Sequence, residues 1–406
     1  MLINAIKNEN ISPHLQENIP LLSGTISEDA SKKIKNILAE NTSLPVSNHP
    51  QNMAQDPFEQ IRNMRGAKPT ELPFKGGKIT FLSKIKNAHL DDIHGLIKLG
   101  SKKIVSGSKD STVKIWDAQD RSHLEIRSGA GDYTSWITSL ANLDNSQFAV
   151  GTRDGFLEIL DENGAILSSC KSPKTSNNSG GCKERNEERI NCISAPPSGD
   201  PSSYVYVGRP QFLEIFDRAT KTFVRSIKAH LKDWVWAISP LENQRIVIAV
   251  GSQLELWNLS KNPYQSDVLI PRCIFSEKST YKPFITHICP IKGQQGVLAT
   301  AYYDGDFKIY SLQNQTERTF ADAHVGRIWS LLSFDANLLL SSADDKKVCL
   351  WDLRMKKSVA KITNFPGRVS CLLQLDDTMF ATASCPDEVF TSQNKAEIQF
   401  FDFRKV

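Results

Sequence analysis

Seven times along this chain a short apolar run ends on an acidic or polar residue. The runs are VKIWD at Asp117, LEILD at Asp161, LEIFD at Asp217, LELWN at Asn258, FKIYS at Ser311, VCLWD at Asp352 and IQFFD at Asp402. Their ends are separated by 44, 56, 41, 53, 41 and 50 residues. A unit this short cannot bury an apolar face alone, so copies must stack against one another. Each interval repeats one internal order. A run such as IHGLIKL or IWSLLSF comes first, and a second such as KIVSGS or LLLSSA follows. A turn with Asp or Gly then leads into the aromatic–acid run, and a less apolar fourth run such as TFVRSIKAH leads out. Strand-length runs evenly spaced by turn residues specify an all-β repeat fold.

From His89 to Trp116, from His230 to Trp257 and from His324 to Trp351 the separation is 27 residues. Two of these units also hold Ser and Asp at matching places, Ser106 with Asp110 and Ser341 with Asp345. His, Ser and Asp are the ingredients of a nucleophilic triad. A nucleophile is needed once, whereas this set recurs with the repeat, so it reads as a structural bolt.

In these features the chain resembles the WD40-repeat family of β-propellers over residues 78–406, whose blades have a period of roughly 40–45 residues. The resemblance implies a seven-bladed propeller with an N-terminal, partly helical extension over 1–77. It also implies that Trp, Ser, His and Asp of each set form a buried hydrogen-bond chain. KITFLSKIKNAH (78–89) parallels the outer strand TFVRSIKAH without a repeat before it. The strand at 78–86 is therefore expected to lie beside 396–402 and close the ring, covering an exposed edge. Some units depart from the pattern. Trp257 has Val247 and Gly251 where Ser and Asp would stand, Tyr310 replaces Trp in the fifth unit, and Leu160, Phe216 and Phe401 replace it in three others.

Relatives bind partners on the rim that leads into the innermost strand. Counting three and five residues past each His-type position gives two rings. The first is Asp92, Trp136, Arg189, Trp234, Phe284, Arg327 and Arg368; the second is His94, Thr138, Asn191, Trp236, Thr286, Trp329 and Ser370. Trp and Arg dominate interface hot spots, so Trp136, Arg189, Trp234, Trp236, Phe284, Arg327, Trp329 and Arg368 are the expected partner-binding residues. The bland alternative for Trp236 and Trp329 is packing inside or between blades. The excess of Arg suits an acidic or phosphorylated peptide. LLSSADDKKVCLWDLR (339–354) also resembles the motif of WD40 substrate receptors in cullin–RING ubiquitin ligases. That likeness implies adaptor docking through Asp352 and Arg354, with Arg404 of the FDFR end as a looser match.

Other classes are disfavoured. The formal net charge is +4 with Lys and Arg spread along the chain, not the gathered basic excess of a nucleic-acid binder. No apolar run approaches the length of a membrane span, and the N-terminus lacks the pattern of a secretory leader. The eight cysteines show no metal-ligand spacing, and several sit in apolar runs such as KVCLW. They read as small core residues in a reducing, cytoplasmic setting, with the nucleus or delivery into a host cell as alternatives. There is no Gly-rich phosphate loop and no unrepeated nucleophile set, so no enzyme, cofactor or metal is expected, and a site in the channel is the remaining catalytic alternative. Ahead of the repeats, 27–40 and 56–64 have helical caps and apolar faces, and 168–189, 259–271 and 386–395 read as polar loops.

Overall fold

The computed structural model describes residues 71–405 apart from 75–76, 118–122, 128–134, 145, 173–187, 198–202, 230–232, 243, 260–282, 356 and 387–394. The expected helices at 27–40 and 56–64 and His230 lie outside the described residues.

Seven antiparallel sheets follow one another along the chain. Their first strands are Ile93–Leu99, Ile137–Asn142, Cys192–Ser194, Val235–Leu241, Ile285–Pro290, Ile328–Ser333 and Gly367–Gln374. Each first strand contacts the next, and the seventh contacts the first, so the sheets are blades of a closed propeller around a central channel. In the first six blades the other strands run outward in sequence order.

Blade seven is built from both ends of the repeat region. Ala396–Lys405 pairs on one side with Met379–Pro386 and on the other with Gly77–His89, in a register that sets Ile79 opposite Phe403 and Ile85 opposite Ile398. A fifth strand, Glu71–Phe74, pairs with Gly77–Thr80, so strand structure starts ahead of residue 78. Aromatic rings fasten this seam: Phe74 stacks on Phe403 at 5.6 Å, and Phe81 meets Phe401 edge-on at 5.7 Å.

The second strand of each blade is sandwiched between neighbouring blades, which explains buried runs such as LLLSSA and RIVIAV. Close approach there demands glycine. A Cβ on Gly107 would stand 2.5 Å from Ile137 Cγ2, and one on Gly151 would stand 2.6 Å from Ile190 Cγ2. Cys289, Cys349, Cys371 and Cys385 are buried in the same layers with free thiols. The segment expected to begin a polar loop at 168 is partly strand. Ile166–Lys171 forms the outer edge of blade two, and its register gives Ser168, Ser169 and Cys170 partners on Leu157–Ile159. Backbone pairing here overrides side-chain polarity.

Candidate functional site

The two complete bolts have nearly the same geometry. Trp116 Nε1 donates to Ser106 Oγ at 2.8 Å, Ser106 Oγ lies 2.7 Å from His89 Nε2, and His89 Nδ1 lies 3.0 Å from Asp110 Oδ2. In blade six the same three links measure 2.8, 2.6 and 2.9 Å through Trp351, Ser341, His324 and Asp345. One assignment satisfies every group: indole to hydroxyl, hydroxyl to imidazole, imidazole to carboxylate. The Ser106 and Ser341 side chains are 0% exposed, and each hydroxyl already accepts an indole N–H. No substrate can reach such an oxygen, so the arrangement anchors the loop before the first strand to the next two strands.

Blade four solves the same problem differently. Trp257 Nε1 donates to Glu255 Oε2 at 3.0 Å, on its own strand. Glu158 and Glu214 occupy the equivalent place in blades two and three and are equally buried. Glu214 forms an ion pair of 2.7 Å with the buried Arg209 and accepts from Ser172. The repeated Leu-Glu-Ile/Leu triplet was the signal for these hubs.

The channel mouth is shaped by a recurring irregularity. In six blades the pairing of first and second strands skips one residue of the first strand: 94, 138, 236, 286, 329 and 370. A bulge of this kind re-aims a side chain. Three of the six are hydroxyl residues that stitch one blade to the next. Thr138 donates to the Ile190 carbonyl, Thr286 to that of Ile328 and Ser370 to that of Ile93, each at 2.6 Å. All six line a cavity of about 520 Å³ at the mouth, to which His94, Trp236 and Trp329 contribute the bulkier walls.

That cavity also takes Asp92, Trp136, Arg189, Asn191, Arg327 and Arg368 into its wall, whereas Trp234 and Phe284 are outside its lining. Phe284 is instead a large exposed hydrophobic. Cations and indoles alternate around the rim. The Arg189 guanidinium lies 6.0 Å from the Trp234 ring, which stacks on Trp236 at 5.1 Å. Arg327 sits 3.8 Å over Trp329 and 5.6 Å from Trp236, and Arg368 is 5.8 Å from Trp329. On the other side Trp136 carries Arg153 at 3.9 Å and Lys109 at 4.7 Å.

Carboxylates hold part of this ring. Arg368 forks onto Asp92, with Nε 3.1 Å from Oδ1. That pairing outweighs burial and raises the Arg368 pKa. Asp344 accepts Trp329 Nε1 at 2.6 Å and the backbone N–H of Arg327 at 3.2 Å. Burial, reinforced by Arg189 and Arg368, lowers Arg327 to about 10. Burial also lowers His94 to about 4, with the three arginines adding to the effect against the pull of Asp92. Lys109, Arg153 and Asp344 were not read from the sequence. Each immediately precedes the Asp of the turn between second and third strands, and that register was the available signal.

A family model for the WD domain, G-beta repeat, matches residues 82–117 and 314–352. Both segments enclose a complete Trp–Ser–His–Asp bolt, and they sit in a ring of seven blades, six of four or five strands and one described to three. The chain is a WD40-repeat β-propeller. No curated protein matches it. WD40 propellers generally act as non-enzymatic scaffolds that bind other proteins or peptides, and in that general sense this WD40 propeller is an interaction scaffold.

At the opposite end of the propeller, where third strands finish, Arg354 projects with its side chain 71% exposed. Asp352 holds it through Nε–Oδ1 of 2.9 Å and Nη2–Oδ2 of 2.6 Å. Arg404 is held by Asp402 through a single contact, Nε–Oδ2 of 2.6 Å. Among the described residues, Asp91, Asp92 and Cys385 are the one acid–thiol group close enough to share an ion. It is a poor metal site, because Asp92 is committed to Arg368 and burial with the Asp92 charge pushes Cys385 up to about 12.

Proposed function

We propose that this WD40 propeller recognises its partner at the channel mouth, with Trp136, Arg189, Trp234, Trp236, Arg327, Trp329 and Arg368 as the contact residues. The observation that carries this reading is the alternation of arginine and indole around the rim, from Arg189 through Trp234, Trp236, Arg327 and Trp329 to Arg368. Side chains of these two types supply most of the binding energy at protein interfaces, and truncating one at a hot spot costs about 2 kcal/mol or more. Stacking also lowers the entropy that each long side chain loses on binding.

The test is affinity capture from cytosol with the wild-type chain and a Trp234→Ala/Arg327→Ala/Arg368→Ala variant of matching thermal stability. The expected result is a set of proteins present with the wild type and missing with the variant. Identical captures would overturn the reading. A second reading has its own observation: Arg354, held out from the opposite end by Asp352 and mostly exposed, is poised for an adaptor of the ubiquitin-ligase type. Capture of a cullin adaptor that is lost in Arg354→Ala/Arg404→Ala would favour it.

A further inference from the structure

The cavity at the channel mouth has an unbalanced wall. Four cationic side chains line it, Lys109, Arg189, Arg327 and Arg368, against one carboxylate, Asp92. Two of the four are already compensated: Lys109 reaches Asp91 at 3.4 Å, and Arg368 forks onto Asp92. Among the described residues no carboxylate lies within ion-pair distance of Arg189 or Arg327. The nearest candidate for Arg327, Asp344, spends its oxygens on the Trp329 indole and a backbone N–H.

The same wall holds several buried polar atoms with no partner. They are Nε of Arg189, Nε of Arg327, Nε1 of Trp236, the side-chain amide of Asn191 and Nε2 of His94. Buried donors without acceptors are costly, and native proteins rarely keep one, let alone a group around a single cavity. All these residues line one space. The bulges at His94 and Trp236 aim side chains there that regular pairing would direct elsewhere.

We infer that the channel mouth is an anion site for a phosphoryl group, gripped between Arg189 and Arg327 with Trp236 and Asn191 as further donors. This deepens the reading of the mouth as the partner-binding face and rests on it. The charge excess and the number of open donors match a group with three terminal oxygens and a charge near −2 better than a carboxylate with two oxygens. The volume of about 520 Å³ exceeds what the phosphoryl group alone fills, leaving Trp136 and Trp329 to contact whatever carries it. Two carriers share this chemistry, a phosphorylated side chain on a peptide and a small free phosphate ester. The indoles that continue the rim outward to Trp234 favour the peptide.

The experiment titrates the full chain, followed by tryptophan fluorescence, with inorganic phosphate, phosphoserine and degenerate peptides centred on phosphoserine or phosphothreonine, each peptide against its unphosphorylated twin. Phosphorylated peptides are expected to bind at least about tenfold more tightly than their twins, and the preference should weaken as salt rises. Arg189→Gln and Arg327→Gln should each remove about tenfold or more of that affinity. Asp92→Asn, which frees Arg368 and removes the one competing carboxylate, should strengthen it. That gain separates an anion site from a structural role, because a folding defect cannot tighten binding. Phosphoserine binding as tightly as any phosphopeptide would support the site with a small ester as its occupant. Equal binding of phosphorylated and unphosphorylated peptides overturns the anion site while leaving the partner face standing. No change in capture for the rim variant removes the face itself.

Discussion

Trp257 and Glu255 are bonded to each other, indole Nε1 to carboxylate Oε2 at 3.0 Å, two residues apart on one strand. Residues two apart share a strand face, so blade four satisfies its buried indole locally, without the serine that the first and sixth blades place on a neighbouring strand. The Leu-Glu-Ile repeats in blades two and three put buried glutamates at the same place, where they serve as polar hubs of another kind.

Glu255→Leu should therefore destabilise the propeller by about 1–3 kcal/mol, the cost of orphaning a buried donor. Glu255→Gln keeps an oxygen toward the indole and should cost less. Urea denaturation followed at the tryptophans distinguishes them, and equal midpoints for both variants would show that the bond contributes nothing.

The bolts in blades one and six should each behave as a single network. His324→Ala and Asp345→Ala are each expected to cost about 1–3 kcal/mol, with nearly the same cost for the pair as for either alone, because both break one network. Additive losses in a double-mutant cycle would contradict a shared chain of bonds.

Those carboxylates also set an acid dependence. Burial would raise the Asp345 carboxyl, but the hydrogen bonds from His324 and the Val325 backbone N–H outweigh it and hold the carboxyl below its ordinary 3.8; Asp110 is lowered likewise by hydrogen bonds from His89, Thr112 and the Leu90 backbone N–H. A carboxyl depressed in the folded state gives its full stability above the unfolded value and loses it as pH falls through the folded one. Stability should thus drop below about pH 4, and Asp345→Asn should show a shallower drop in denaturation midpoint than the wild type.

Closure makes the strand Gly77–His89 part of the last blade. A chain beginning after residue 89 would leave the Ala396–Lys405 edge unpaired, with Phe401 and Phe403 stripped of Phe81 and Phe74. Such a chain is expected to lose its single cooperative unfolding transition and to aggregate. A sharp calorimetric transition at the wild-type temperature would show that the seam is dispensable.

Burial lifts Cys289 to about 11 and Cys349 and Cys371 to about 12. Thiolates are the reactive form, so these thiols should resist alkylation at neutral pH until the chain unfolds. Peptide mass mapping after brief iodoacetamide treatment tests this, and modification of Cys371 in the native protein would count against the blade packing described.

The sequence by itself determined the repeat, the strands and the polar bolts. Each is written in residues close together: the alternation within VKIWD, the turn before it, and the fixed separation of 27 residues between His and Trp. Such short-range patterns survive because every blade solves the same packing problem with the same local chemistry. Only the tertiary structure decided what those residues do at the mouth. A bulge leaves no mark in composition, yet at one register it sets Trp236 and Trp329 in the channel wall and lets Thr138, Thr286 and Ser370, in the same wall, stitch blade to blade. Partnerships such as Arg368 with Asp92 join residues 276 apart in the chain. Closing the ring is what brings their charges within reach, and which cations it leaves uncompensated depends on side-chain distances that no linear pattern records.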